Sequence, residues 1–252
     1  MSEITLEIDG REVKAEEGMT ILEAAKSAGI NIPALCYHDA VSPFGACRLC
    51  SVEITSRGRN RIVTSCNYLV EDGLIVNTES ADVIETRKML CELLLARCPS
   101  VKVIQDLAQE YGVEKPRFKL ADEKCILCGL CTRICEERLG VSAINFVGRG
   151  IGRQVATPYY EHSDACIGCG SCAYICPTGA ITLEDSGHTR KVFTPYVTME
   201  FKLKKCKVCG NYFAPEKELD YIAKVTGLPA EALDKCPTCR TRLLTVDLSG
   251  TI

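Results

Sequence analysis

Cys125-Ile-Leu-Cys128-Gly-Leu-Cys131-Thr-Arg-Ile-Cys135 and Cys166-Ile-Gly-Cys169-Gly-Ser-Cys172-Ala-Tyr-Ile-Cys176-Pro177 are two copies of one run, with two, two and three residues between successive cysteines. Three thiolates at that spacing wrap three irons of a [4Fe–4S] cube, and the fourth reaches into the neighbouring repeat to ligate the other cube. The pattern therefore assigns Cys125, Cys128, Cys131 and Cys176 to cluster A, and Cys166, Cys169, Cys172 and Cys135 to cluster B. Gly129, Gly168 and Gly170 let backbone lie close to the cubes. Glu136 stands where the second run has Pro177, so the local turn differs while the ligand set does not. Between the runs, residues 143–147 and 153–156 read as a small hairpin across the glycine-rich 148–152.

Working outward, the chain of 252 residues has 18 cysteines, and two further quartets account for eight of the others: Cys36/Cys47/Cys50/Cys66 and Cys206/Cys209/Cys236/Cys239. Only Cys91 and Cys98 fall outside. A secreted disulfide scaffold is the rival explanation, but it predicts a short chain behind an apolar leader, and MSEITLEIDGREVK is charged and alternating. No run approaches the ~18 apolar residues of a membrane span, so a soluble, cytoplasmic protein is expected. The formal charge is −3. Four thiolates around a 2+ core leave each centre at about −2, and four centres bring the total to roughly −11, which argues against nucleic acid as a partner.

Residues 3–8 and 11–15 alternate as strands about Asp9-Gly10, a two-residue hairpin turn. Thr20-Ile-Leu-Glu23 is a capping box opening a short helix with Ile21, Leu22, Ala25 and Ala28 on one face, ending before Gly29. Further strands at 51–55, 61–65 and 74–77 complete a β-grasp pattern. The loop carrying Cys36, Cys47, Cys50 and Cys66 follows the helix directly, and Gly45, Ala46 and Ser51 suit close backbone approach to a [2Fe–2S] cluster; a zinc site is the rival reading. Cys36-Tyr37-His38 is half of a Rieske-type pair, but a cysteine pair stands downstream, so His38 reads as a loop residue. Residues 82–96 form a helix with Val83, Ile84, Leu90, Leu93 and Leu94 on its apolar stripe, and a second helix follows over 101–111.

The segments ILEAAKSAGINIPALCYH and GACRLCSVE, with ten residues between Cys36 and Cys47, resemble the N-terminal domain of the large iron–sulfur subunit of respiratory complex I. They also resemble the matching subunits of NAD-reducing hydrogenases, NAD-dependent formate dehydrogenases and electron-bifurcating complexes. In those relatives a further [4Fe–4S] cluster with one His and three Cys ligands occupies the connecting region. Here no histidine lies between His38 and His162, so that cluster is expected to be missing, with Cys91 a buried small hydrophobe and Cys98 less defined.

The last quartet forms two knuckles, Cys206-x2-Cys209-Gly and Cys236-Pro-x-Cys239, joined through helix-like stretches at 216–224 and 229–233. Zinc ribbons and rubredoxins share such knuckles; Arg240 stands where rubredoxins usually have Gly. Structural Zn is favoured, with mononuclear Fe or another Fe–S cluster as alternatives.

The expected architecture is α+β: a β-grasp [2Fe–2S] domain (1–80), a helical connector (81–120), a bacterial-type 2[4Fe–4S] ferredoxin domain (121–185) and a zinc-ribbon or rubredoxin-like module (186–252). No G-x-G-x-x-G follows a strand and no P-loop or flavin site is present, so no substrate-converting site is expected. The resemblance implies an electron-transfer subunit in a hetero-oligomer, docked to a flavin-containing NAD(P)H-binding subunit and to a second redox subunit or ferredoxin, in anaerobic metabolism. A stand-alone polyferredoxin-like carrier and a protein with four structural zincs are the alternatives.

Overall fold

The computed structural model describes residues 3–56, 58–118 and 122–249. The fold divides into two compact units, one of Met1–Arg133 with Pro177–Gly179, the other of Ile134–Cys176 with Ala180–Ile252.

In the first unit, β1 (Glu3–Ile8) and β2 (Arg11–Glu16) pair antiparallel, with Leu6 opposite Val13 and Ile4 opposite Ala15. The alternation places Leu6, Ile8, Val13 and Ala15 in the core. Asp9 and Gly10 both take positive φ, 51° and 75°, as this turn requires. Asp9 also accepts from Thr78 N and Oγ1, both at 2.7 Å, which pins the turn to the sheet. The capping box forms at α1 (Ile21–Ser27): Glu23 N donates to Thr20 Oγ1 at 3.3 Å and Thr20 N to Glu23 Oε2 at 2.7 Å. Its buried face is Ile21, Leu22, Ala24 and Ala25; Ala28, expected on that face, is exposed because it caps the helix one turn beyond the core.

Strands β3 (Ser51–Ser56), β4 (Arg59–Thr64) and β5 (Ile75–Asn77) complete a sheet of order β2-β1-β5-β3-β4, with β1 and β5 parallel. This is the β-grasp arrangement. Two helices follow, α2 (Ala81–Arg97) and α3 (Lys102–Glu110). The stripe expected on α2 needs correction: Ile84 and Leu93 are exposed, and the buried face comprises Val83, Arg87, Cys91, Glu92, Leu95 and Ala96. Arg87 is only 3% exposed because it satisfies backbone carbonyls rather than packing as a hydrocarbon. Cys91 and Cys98 are fully buried, and burial pushes both thiols up to about 12. The unit also holds α4 (Leu130–Arg133).

The second unit opens with a π-helical turn over Ile134–Arg138. The expected hairpin is present as β6 (Asn145–Val147) and β7 (Gln154–Ala156). After the short helix α5 (Ser171–Tyr174), strands β8 (Thr182–Ser186), β9 (Thr189–Phe193), β10 (Thr198–Lys205) and β11 (Tyr212–Pro215) form one antiparallel sheet of order β11-β10-β9-β8. A single sheet thus runs across residues 185 and 186. Helices α6 (Glu216–Thr226) and α7 (Pro237–Ser249) complete the unit; sequence reasoning did not anticipate α7. Among the described residues, no helix is long and apolar enough to cross a membrane.

Candidate metal centres

Cys36, Cys47, Cys50 and Cys66 are all buried, and Cys66 lies close enough to feel the charge of the other three. They associate as two hydrogen-bonded pairs, Cys36 with Cys47 and Cys50 with Cys66. The Cys47 thiol and the backbone N–H groups of Cys47 and Ala46 hold Cys36 down at about 6; the Cys66 thiol likewise lowers Cys50 to about 7. Their partners move the other way: as the thiols that donate within each pair, and through burial, Cys47 and Cys66 are held well above the ordinary thiol range, so each pair shares one proton that binding iron would displace. The loop is fixed from behind by Arg87, whose Nε donates to Leu49 O at 3.1 Å and Nη2 to Ser51 O at 2.8 Å, on either side of Cys50. His38 is exposed, and its Nδ1 accepts from Ala40 N at 3.0 Å.

The two cysteine runs fold alike. In the first, Leu127 N–H donates to Cys125 Sγ at 3.4 Å; in the second, the Gly168 N–H points at the Cys166 thiol. Both turns need left-handed backbone at the equivalent position, φ 56° at Leu127 and 73° at Gly168, and again at Gly129 and Gly170. A leucine held there stores strain of about 1–2 kcal/mol. Cys135 lies within the π-helical turn, and Ala143 N donates to its Sγ at 3.3 Å. Glu136 lies within that turn, where a proline would remove an N–H; this accounts for the departure from the second run.

Cys135 lines the same hollow as Cys166, Cys169 and Cys172, closed by Ile144, Ile167, Val192 and Met199. Three thiols from one run and one from the other, in an apolar shell, fit a four-thiolate cluster. Cys125, Cys128 and Cys131 belong to the first unit and Cys176, which closes the second run, to the other. Arg97 Nε donates to Cys125 O at 2.7 Å, and Arg190 reaches Gly168 O and Cys169 O at 3.3 and 3.4 Å.

Packing around Gly168 gives a direct test. A Cβ there would stand 2.5 Å from Phe201 Cγ, on top of the left-handed backbone. Gly168→Ala is expected to destabilise the chain by about 2–4 kcal/mol, from backbone strain plus overpacking, read as a lowered urea midpoint.

The C-terminal quartet is different in scale. Cys206, Cys209, Cys236 and Cys239 have all their sulfurs within 4.8 Å of one another, and among the described residues no other group of three or more potential ligands is so tight. Cys209 Sγ and Cys236 Sγ are 3.8 Å apart. Four thiolates at ~2.3 Å around one ion have tetrahedral edges of ~3.8 Å, so the spacing suits a mononuclear centre. Cys206 follows β10 and Cys239 lies in the first turn of α7. The N–H groups of Cys236, Cys209 and Val208 hold the Cys206 thiol at about 6. Asp234 ties the knuckles together, taking Lys204 Nζ at 2.5 Å and Lys207 Nζ more closely still. Arg240 keeps Nε buried without an acceptor, as suits a neighbouring anionic centre.

Comparison with known proteins accords with these sites. A model described as a 2Fe-2S iron-sulfur cluster binding domain matches residues 1–81, and one described as a 4Fe-4S dicluster domain matches 124–180 and 165–241. The mitochondrial NADH-ubiquinone oxidoreductase 78 kDa subunit of Candida albicans is 30% identical over 209 residues, covering 72% of this chain and 29% of that protein. NADP-reducing hydrogenase subunit HndD of Solidesulfovibrio fructosivorans is 33% identical over 214 residues, covering 72% and 36%. The chain thus spans well under half the length of these relatives. A chain in the crystal structure of an NAD+-reducing [NiFe]-hydrogenase in the H2-reduced state superposes with a TM-score of 0.56 at 30% identity, over 62% of this chain and 75% of that one. Matched domains, fold and cysteine loops together place this chain in the family of electron-transferring iron–sulfur subunits found in NADH-ubiquinone oxidoreductases and NAD(P)-reducing hydrogenases.

Proposed function

We propose that this chain is the electron-relay subunit of a cytoplasmic, multi-subunit NAD(P)H-linked oxidoreductase, carrying single electrons between a flavin subunit and a second redox subunit or ferredoxin. Cys36, Cys47, Cys50 and Cys66 hold a [2Fe–2S] cluster; Cys125, Cys128, Cys131 and Cys176 hold cubane A; Cys166, Cys169, Cys172 and Cys135 hold cubane B. Bound clusters of these types accept and release one electron at a time. The protein's own contribution is to supply thiolates, aim N–H groups at sulfur and keep water out of the loops. The observation that carries the reading is Cys135, which lines one hollow together with Cys166, Cys169 and Cys172. The kinship with subunits of NADH- and NADP-linked enzymes supports the partners.

At the C-terminal quartet the 3.8 Å sulfur spacing favours one ion over a cluster, and Zn is proposed as a structural, redox-silent centre of a ribbon-like module over 186–252. The second dicluster match reaches across this quartet, but a cube would need its sulfurs farther apart.

Anaerobic purification with iron, sulfide and EPR analysis tests the assignment. About ten irons and ten sulfides per chain are expected from one two-iron and two four-iron clusters. Cys128→Ala should lose one cubane signal while the [2Fe–2S] signal persists. Two intact cubanes in that variant would sink the assignment of cluster A, and zinc without sulfide would sink the relay altogether.

A further inference from the structure

Besides Arg87, three arginines grip carbonyls of the cysteine loops, and these three differ in how their charge is balanced. Arg97, on the Cys125 carbonyl, has Glu123 at 3.7 Å. Arg190, on the Gly168 and Cys169 carbonyls, is met by both oxygens of Asp185, at 2.7 and 2.8 Å, with Glu218 at 4.0 Å. Arg133 is 8% exposed, and among the described residues no carboxylate pairs with it.

Its contacts join two loops. Nη2 donates to Cys36 O at 2.9 Å and to Cys128 O at 3.4 Å, Nε to Gly129 O at 3.2 Å and Nη1 to Ser42 O, while the guanidinium lies over the Phe44 ring at 5.2 Å. One buried cation therefore holds the carbonyl of a [2Fe–2S] ligand and the carbonyl of a cubane A ligand, both within the first unit. A guanidinium stays protonated throughout, so its field does not titrate away.

We infer that Arg133 is a positioning residue shared by the [2Fe–2S] cluster and cubane A, and that its uncompensated charge makes this pair easier to reduce than cubane B, whose own arginine is neutralised by Asp185. This rests on the ligand assignment proposed above. Reduction adds one negative charge to a cluster, and a fixed buried cation beside it favours the reduced form; a cation already paired with a carboxylate contributes far less. In transfer between the two sites, the electron lost by one cluster is the electron gained by the other, with no proton moved by Arg133.

The test is an EPR-monitored redox titration of the full chain with dithionite as reductant. In Arg133→Gln, the [2Fe–2S] and cubane A midpoints should both fall while that of cubane B stays. At the wild-type [2Fe–2S] midpoint the reduced-to-oxidised ratio should drop about tenfold, ~59 mV for one electron. Asp185→Asn, at a half-exposed carboxylate, should raise the cubane B midpoint alone by freeing the charge on Arg190, and it decides the matter should the Gln variant lose iron. Unmoved midpoints in a fully loaded Gln variant, or an unmoved cubane B in Asp185→Asn, would overturn the inference. The ligand assignment fails separately, through the wild-type iron and sulfide counts.

Discussion

Arg87→Ala is expected to destabilise the chain by about 3–5 kcal/mol and to deplete its [2Fe–2S] centre, although the Arg87 guanidinium acts on the loop backbone rather than on the four cysteine sulfurs. The wild-type guanidinium donates to Leu49 O and Ser51 O, the carbonyls flanking Cys50, and to the Tyr111 hydroxyl at 3.3 Å. Removing it leaves two buried carbonyls without donors, each costing about 1–3 kcal/mol, and opens a void beneath the loop. Arg87→Lys retains a cation but one point donor in place of a fork, so it can serve one carbonyl and should fall between wild type and alanine. Urea unfolding followed by far-UV circular dichroism reads the stability. The amplitude of the [2Fe–2S] EPR signal per chain reads the loop. An alanine variant that unfolds at the wild-type midpoint with full signal would show that the two carbonyls are satisfied in some other way.

This residue also marks where sequence reading reaches its limit. Elements specified by local chemistry were legible: the Asp9-Gly10 turn, the Thr20–Glu23 capping box, the hairpin over β6 and β7, and the cysteine loops with their glycines at positive φ. Each depends on residues a few positions apart, and spacing alone conveys them. The buried face of α2 does not, because apolar periodicity counts Ile84 and Leu93 and discounts arginine. An arginine becomes a core residue only when distant carbonyls converge on it, and those of Leu49 and Ser51 come from a loop nearly forty positions upstream. The roles of Arg133 and Arg190 are illegible in the sequence for the same reason. The helix after Cys236 is illegible on other grounds: its sequence PTCRTRLLTVDLS carries β-branched residues and no clean apolar stripe. At the sites, the hollow that Cys135 shares with Cys166, Cys169 and Cys172 is in keeping with the crossed pairing that the run spacing suggests. Spacing could not convey the difference in scale between the last quartet and the rest.

That scale supports the second large effect. Cys236→Ser is expected to remove one equivalent of non-sulfide-associated metal and to unfold the C-terminal knuckles, while leaving about ten irons and ten sulfides in place. Cys236 is central to this site: its Sγ lies 3.8 Å from Cys209 Sγ and its backbone N–H donates to Cys206 Sγ at 3.3 Å. A four-thiolate ion can contribute on the order of 10 kcal/mol to folding, more than the few buried apolar residues nearby could replace, so the local structure should not survive its loss. Asp234 does not rescue it, because its clamp to Lys204 and Lys207 depends on the knuckles staying together and is partly screened by solvent. Elemental analysis resolves the metal, and limited proteolysis with mass spectrometry locates the unfolding, with new cuts expected between β11 and α7. Loss of four irons and four sulfides in Cys236→Ser would instead mean that the quartet holds a third cube. That outcome would require the sulfurs to open well beyond the 4.8 Å within which they now lie.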